Sequence, residues 1–218
     1  MTRVLLTAFE PFGGEQINPS QLAVQRLALL GVTGVELRAA FLPVVYYTAA
    51  EVLRAALEEH QPDIVICIGQ AGGRFGITPE KVAINRNDTV MPDNAGQAPV
   101  DEAIVSGGPV GYFTSLPVAA IVQALKDADI PAEVSWTAGA YVCNHVFYSL
   151  MHLIGTERPD IVGGFVHVPY VHDQVARRHD AQPSLSLDTI VEALRITVDT
   201  TVDSTEPGMK RGVAGATR

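Results

Sequence analysis

Along most of this chain, short runs rich in Val, Ile and Leu alternate with longer segments of helical period. Residues 3–8 and 63–68 are apolar with little interruption, as strands covered on both faces are, and residues 35–42 form a further short Val/Leu-rich run, broken by Glu36 and Arg38. Between them, residues 19–30 and 44–59 repeat apolar positions three and four apart, which marks one buried helix face. The order predicts βαβαβ. A Gly-rich turn at 69–76 and a short strand at 81–85 follow. Residues 86–111 are rich in Asn, Asp, Gly and Pro, and so long a loop usually covers a site or an interface. The alternation then resumes with a helix at 117–129, a strand at 132–135, a helix at 142–154, a strand at 161–167 and a helix at 187–202. Two helix starts are marked by Asn18-Pro19-Ser20 and Ser115-Leu116-Pro117, with Pro in the first turn beside a short polar side chain. There is no internal repeat and no break in pattern before residue 203. Residues 1–203 therefore read as one α/β domain, a three-layer sandwich around a mostly parallel, twisted sheet. Residues 204–218 read as a flexible tail. In such sheets ligands bind beyond the carboxyl ends of the strands, so residues that follow strands carry the chemistry.

Composition narrows the function. Only 18% of the 218 residues are charged, which suits a sheet buried on both sides. The 24 acidic and 15 basic residues give a formal charge of −9 without a Lys/Arg stripe, which argues against a nucleic-acid partner. The two cysteines, Cys67 and Cys143, have unlike surroundings and are too few for a disulfide framework, pointing to a reducing compartment, by default the cytoplasm. The opening apolar run is cut by Glu10 and Pro11 before it could serve as a signal segment. No apolar run approaches the roughly 18 residues of a membrane span. No cofactor motif stands out: Gly72-Gly73 follows a strand but lacks both the dinucleotide fingerprint and a phosphate-loop lysine. His145 and His152 lack a short metal-binding spacing, so no metal is expected.

Cys143 opens the helical pattern at 142–154. At a helix N-terminus, free N–H groups and the positive end of the dipole lower a thiol pKa and could hold an oxyanion. The bland reading is a small buried side chain. Cys67 lies within Ile64-Val65-Ile66-Cys67-Ile68 and reads as core. A cysteine nucleophile needs a histidine base held by a third group. His145 follows Cys143 by two residues, about 200° round the same helix, and cannot face it. His60 ends a helix, and His172 and His179 lie in a polar stretch. His167 closes an apolar strand ahead of a Pro-marked loop and is the plausible base. For the orienting carboxylate, Glu80 enters the apolar segment Val82-Ala83-Ile84, with Asp88 and Asp93 as competitors.

Together these segments resemble the pyroglutamyl peptidase I family of cysteine peptidases from Leu5 to about Val171. The motifs are Thr7-Ala8-Phe9-Glu10-Pro11-Phe12-Gly13-Gly14 with Asn18-Pro19-Ser20; Gly72-Gly73-Arg74; Pro79-Glu80-Lys81-Val82-Ala83-Ile84-Asn85; Pro92-Asp93-Asn94; Gly139-Ala140-Tyr141-Val142-Cys143-Asn144; and His167-Val168-Pro169. The resemblance implies removal of an N-terminal 5-oxoproline from peptides through a thioester, with Cys143 as nucleophile, His167 as base and Glu80 as orienting carboxylate. It also implies a lactam pocket involving Phe9, Phe12, Asn18, Gln70 and Val142, and a homo-oligomer, dimer or tetramer. One position departs. The family's arginine before the hydrophobic-Pro-Asp-Asn element, associated with the oxyanion, is Val90 here. Arg86 or Arg74 is the expected compensation, and a non-catalytic or weakly active pyroglutamyl-binding paralogue is the alternative function.

Overall fold

The computed structural model describes residues 1–205. Its first half runs β1 (Thr2–Phe9), α1 (Pro19–Leu30), β2 (Val35–Leu42), α2 (Thr48–His60), β3 (Ile64–Gln70), β4 (Thr78–Pro79), β5 (Val82–Ile84) and β6 (Gly111–Phe113). The second half runs α3 (Val118–Asp127), α4 (Val142–Thr156), β7 (Val162–Val168), β8 (Tyr170–Val171), α5 (His172–Val175), β9 (Ser184–Leu185) and α6 (Leu187–Thr205). Five strands form the central sheet in the order β2-β1-β3-β7-β4; all its pairs are parallel except β7 with β4.

Alternation along the buried strands sorts side chains into two cores. Val4, Leu6 and Ala8 of β1, Ile64, Ile66 and Ile68 of β3, and Val166 and Val168 of β7 meet α1, α3 and α6. Leu5 and Phe9, Val65 and Cys67, and Phe165 meet α2 and α4 on the other face. This is the three-layer α/β sandwich. On β7 the same period places His167, two residues after Phe165, on the α4 side. No helix among the described residues is long and apolar enough to cross a membrane.

Several boundaries differ from the pattern for identifiable reasons. Asn18 caps α1 as expected, its side chain accepting the Ser20 N–H at 3.0 Å. Ser115 does not cap α3: its hydroxyl pairs with Gly163, accepting that N–H at 2.8 Å. Helix α2 begins at Thr48 rather than 44, because the preceding N–H groups go to distant carboxylates. The Val44 N–H donates to Glu10 at 3.2 Å and the Tyr46 N–H to Asp93 at 2.9 Å. Residues 132–135 form no full strand; single bridges join Ala132 to Ile77 and Ser135 to Glu80 along the β4 edge. Helix α6 runs on to Thr205, past the expected boundary at 203, and the rest of the expected tail, 206–218, lies outside the described residues.

Candidate active site

Strand register assembles the site. Gly69 of β3, His167 of β7 and Thr78 of β4 lie in one cross-strand row. Cys143, second residue of α4, stands over that row: a Cβ built on Gly69 would lie 2.9 Å from the Cys143 Sγ and 2.7 Å from the Phe165 ring. Only glycine lets the thiol descend this close to the sheet beside His167. Glu80 follows the two residues of β4, anchored by its N–H to the Phe165 carbonyl at 2.9 Å. Its side chain is fully buried, and Oε1 accepts from His167 Nδ1 at 2.7 Å. A carboxylate only accepts, so Nδ1 carries the proton and the lone pair is left on Nε2. Asp93 does not compete for this place. It accepts backbone N–H groups from Tyr46, Ala95 and Gln97 at 2.8–2.9 Å and organises the long loop. Asp88 accepts from the Asp101 N–H at 3.4 Å in the same loop.

The electrostatics correct one expectation. The position of Cys143 at a helix N-terminus suggested a lowered thiol pKa, yet burial pushes the thiol up to about 12, and the Glu80 charge pushes the same way. Arg74 and the residue's own N–H act in the opposite direction without overcoming this. Burial pulls His167 below the ordinary imidazole range, with Arg74 adding to the effect, while the Glu80 hydrogen bond and charge oppose it. Both groups are therefore neutral at rest near pH 7.

A cavity of about 640 Å³ opens above Cys143 and His167. Phe12, Met91 and Tyr141 give it apolar walls, Gln70, Thr89 and Thr137 give it polar atoms, and Arg74 and the Glu15–Arg178 pair, 2.7 Å apart, place charges on its lining. Tyr141 packs against Phe12 at 6.0 Å between centroids and donates its hydroxyl to the Pro92 carbonyl at 3.1 Å. Gln70 is held by Gln174, whose Nε2 donates to its Oε1 at 3.1 Å.

Of the expected pocket residues, Phe12 and Gln70 line this cavity, and Phe9, Asn18 and Val142 do not. Phe9 ends β1 in the core against Phe165, 6.2 Å between centroids, rather than standing on the loop beyond it. Asn18 is fully buried as the α1 cap, and Val142 is core at the start of α4. Arg86 stays outside as well: its Nε meets Asp101 at 3.1 Å. Arg74 does line the cavity, but its guanidinium is turned onto Glu80 at 2.8 Å. Val90 is fully exposed, between Thr89 and Met91 on the cavity rim. Tyr141, Tyr170, Met91 and Gln174 carried no assigned role in the sequence. Tyr141 at least stands in the Cys143 motif and Tyr170 just after the His167 motif, whereas Gln174 had no signal. His145 and His152 line a separate cavity of about 280 Å³ between α2 and α4.

Comparison with known proteins agrees with this geometry. A family model described as pyroglutamyl peptidase matches residues 2–204. A pyrrolidone-carboxylate peptidase of Bacillus amyloliquefaciens is 52% identical over 194 residues, 89% of each chain. One from Brevibacillus brevis is 49% identical over 204 residues, 93% of this chain and 94% of its own. The crystal structure of Bacillus amyloliquefaciens pyroglutamyl peptidase I matches with a TM-score of 0.90 at 50% identity, covering 93% of this chain and 98% of that one. A mutant pyrrolidone carboxyl peptidase from Pyrococcus furiosus matches with a TM-score of 0.91 at 38% identity, covering 94% and 100%. Likeness of this extent, in sequence and in fold over nearly the whole of each chain, means that the chain belongs to the pyroglutamyl peptidase family.

Proposed function

We propose that this protein is a cysteine exopeptidase that hydrolyses the N-terminal pyroglutamyl (5-oxoproline) residue from peptides through a thioester, acting from one domain over residues 1–203. The observation that carries the reading is Cys143 standing over Gly69, directly across from His167, whose Nδ1 is fixed on buried Glu80. Because thiol and imidazole are both neutral at rest, proton transfer from Sγ to His167 Nε2 accompanies formation of the S–C bond to the pyroglutamyl carbonyl. The N–H groups of the first turn of α4 have no partners within the helix and face the developing oxyanion. His167 then protonates the leaving amine as the C–N bond breaks. Water attacks the thioester, gives its proton to His167, and releases 5-oxoproline as Sγ regains the proton.

The apolar and aromatic walls with a few polar atoms suit a flat neutral lactam. Among the described residues the one non-catalytic carboxylate on the lining, Glu15, is already paired with Arg178 at 2.7 Å, so a free N-terminal ammonium would lose its hydration there without an unpaired partner, which favours the cyclised residue. The test is hydrolysis of a pyroglutamyl-coumarin amide by wild type and by Cys143→Ala. The variant should lose turnover with its melting temperature retained, and a Cys143→Ala protein that cleaves as fast as wild type overturns the assignment. Val90 favours a second reading, a pyroglutamyl-binding protein of little or no turnover. Wild-type kcat/KM in the ordinary enzyme range, about 10⁴ M⁻¹s⁻¹ or above, rejects it.

A further inference from the structure

Arg74 lies in the loop between β3 and β4, and its guanidinium is committed in three directions. One terminal nitrogen approaches Glu80 Oε1 at 2.8 Å and donates to Thr78 Oγ1 at 2.5 Å. The other donates to the Thr137 carbonyl at 2.9 Å. The same Glu80 oxygen receives the His167 Nδ1–H, while Oε2 is buried without a hydrogen-bond partner among the described residues. All compensation of this carboxylate thus passes through one oxygen. A fully buried carboxylate is unfavourable unless paired, and among the described residues Arg74 is the permanent cation paired with it.

We propose that Arg74 is a positioning residue for the reaction. It holds Glu80 Oε1 against His167 and ties the strand end carrying Glu80 to the loop that leads into Cys143. It thereby sets the imidazole tautomer and orientation on which removal of the thiol proton depends. This rests on the reading of Cys143, His167 and Glu80 as the reacting set. Its contacts to Glu80, Thr78 and Thr137 engage at most three of the five guanidinium N–H groups, so positioning is separated from direct donation to the oxyanion by the Glu80→Gln background in the experiment below. The titratable and charged groups facing His167 are Glu80 from the end of β4, Cys143 from α4 and Arg74 from its loop; β3 presents Gly69.

The experiment measures kcat and KM on a pyroglutamyl-coumarin amide for Arg74→Gln and Arg74→Lys, each in the wild-type and Glu80→Gln backgrounds. Arg74→Gln should lower kcat about 10–100-fold with KM within about threefold, and Arg74→Lys, which keeps the charge, should recover part of the loss. The acid limb of kcat/KM should move to higher pH, because the removed charge disfavoured the imidazolium. In the Glu80→Gln background, Arg74→Gln should change kcat less than about twofold, since the residue it acts through is already gone. Equal losses in both backgrounds would assign Arg74 to the substrate instead. Equal losses in the Lys and Gln variants, with lowered melting temperature, would reduce it to packing. Independently of turnover, the His167 ring is followed by NMR through a pH titration. An identical titration in wild type and Arg74→Gln overturns the proposal, whereas absence of wild-type turnover with an altered titration counts against the peptidase reading alone.

Discussion

Gly69→Ala tests the central geometry with one methyl group. Its Cβ would lie 2.7 Å from Phe165 Cζ, 2.9 Å from Phe165 Cε1 and 2.9 Å from Cys143 Sγ. Ordinary contact begins near 3.5 Å, so the thiol and the ring must each retreat by roughly 0.6–0.8 Å or more. Neither retreat is free. Phe165 is fully buried, 5.9 Å from the Phe147 ring and 4.8 Å from that of His167, so its movement disturbs the base as well. Cys143 is fixed by the start of α4, where Asn144 donates to the Ile84 and Arg86 carbonyls, both at 3.0 Å. Overpacking of a tight core costs about 1–3 kcal/mol. For a chain of this length that corresponds to a fall of about 2–12 °C in melting temperature. Displacing a nucleophile by close to 1 Å costs about 10²-fold in rate. Differential scanning calorimetry and turnover of the coumarin amide read the two effects separately, with kcat falling far more than KM changes. A Gly69→Ala protein that melts and turns over like wild type would show that the thiol does not stand over Gly69, and the placement of Cys143 beside His167 would fail with it.

Three further outcomes are expected. Since burial raises the Cys143 thiol to about 12, inactivation by iodoacetamide should accelerate continuously as pH rises past 9, and a plateau below pH 7 would refute the neutral resting pair. His145 is buried, its Nε2 accepting the Tyr47 N–H at 3.2 Å, and burial lowers its pKa from 6.5 to about 4. The unfolded chain therefore binds this proton first, and stability should fall by about 3 kcal/mol as pH drops from 7 through 4. Denaturant titrations should show a flatter acid dependence for His145→Gln, and unchanged steepness would refute the assignment. Val90→Arg, on the cavity rim, should raise kcat about tenfold by supplying an oxyanion donor, whereas Arg86→Ala should stay within about twofold of wild type because Arg86 is paired with Asp101 outside the cavity. The opposite ranking would restore Arg86 as the compensating charge.

Strand and helix order, the Asn18 cap and the position of His167 at a strand end were legible in the chain itself. Each depends on local spacing: period two on a buried strand, period 3.6 on a helix, and a capping oxygen next to the N–H it serves. The family motifs made Cys143, His167 and Glu80 legible together. Local pattern could not place Phe9 in the core instead of the cavity wall, because one strand residue more or less decides the face. Nor could it choose between Arg74 and Arg86, as both are cations near the right segments, and only folding shows that one reaches Glu80 and the other Asp101. The thiol's pKa was misjudged for the same reason, since the helix N-terminus is visible in sequence and burial beside a carboxylate is not. His167 and Glu80 are 87 residues apart, and no local rule joins them. They meet because β7 pairs with β3 on one edge and β4 on the other, a register set by the packing of the whole sheet between its helix layers.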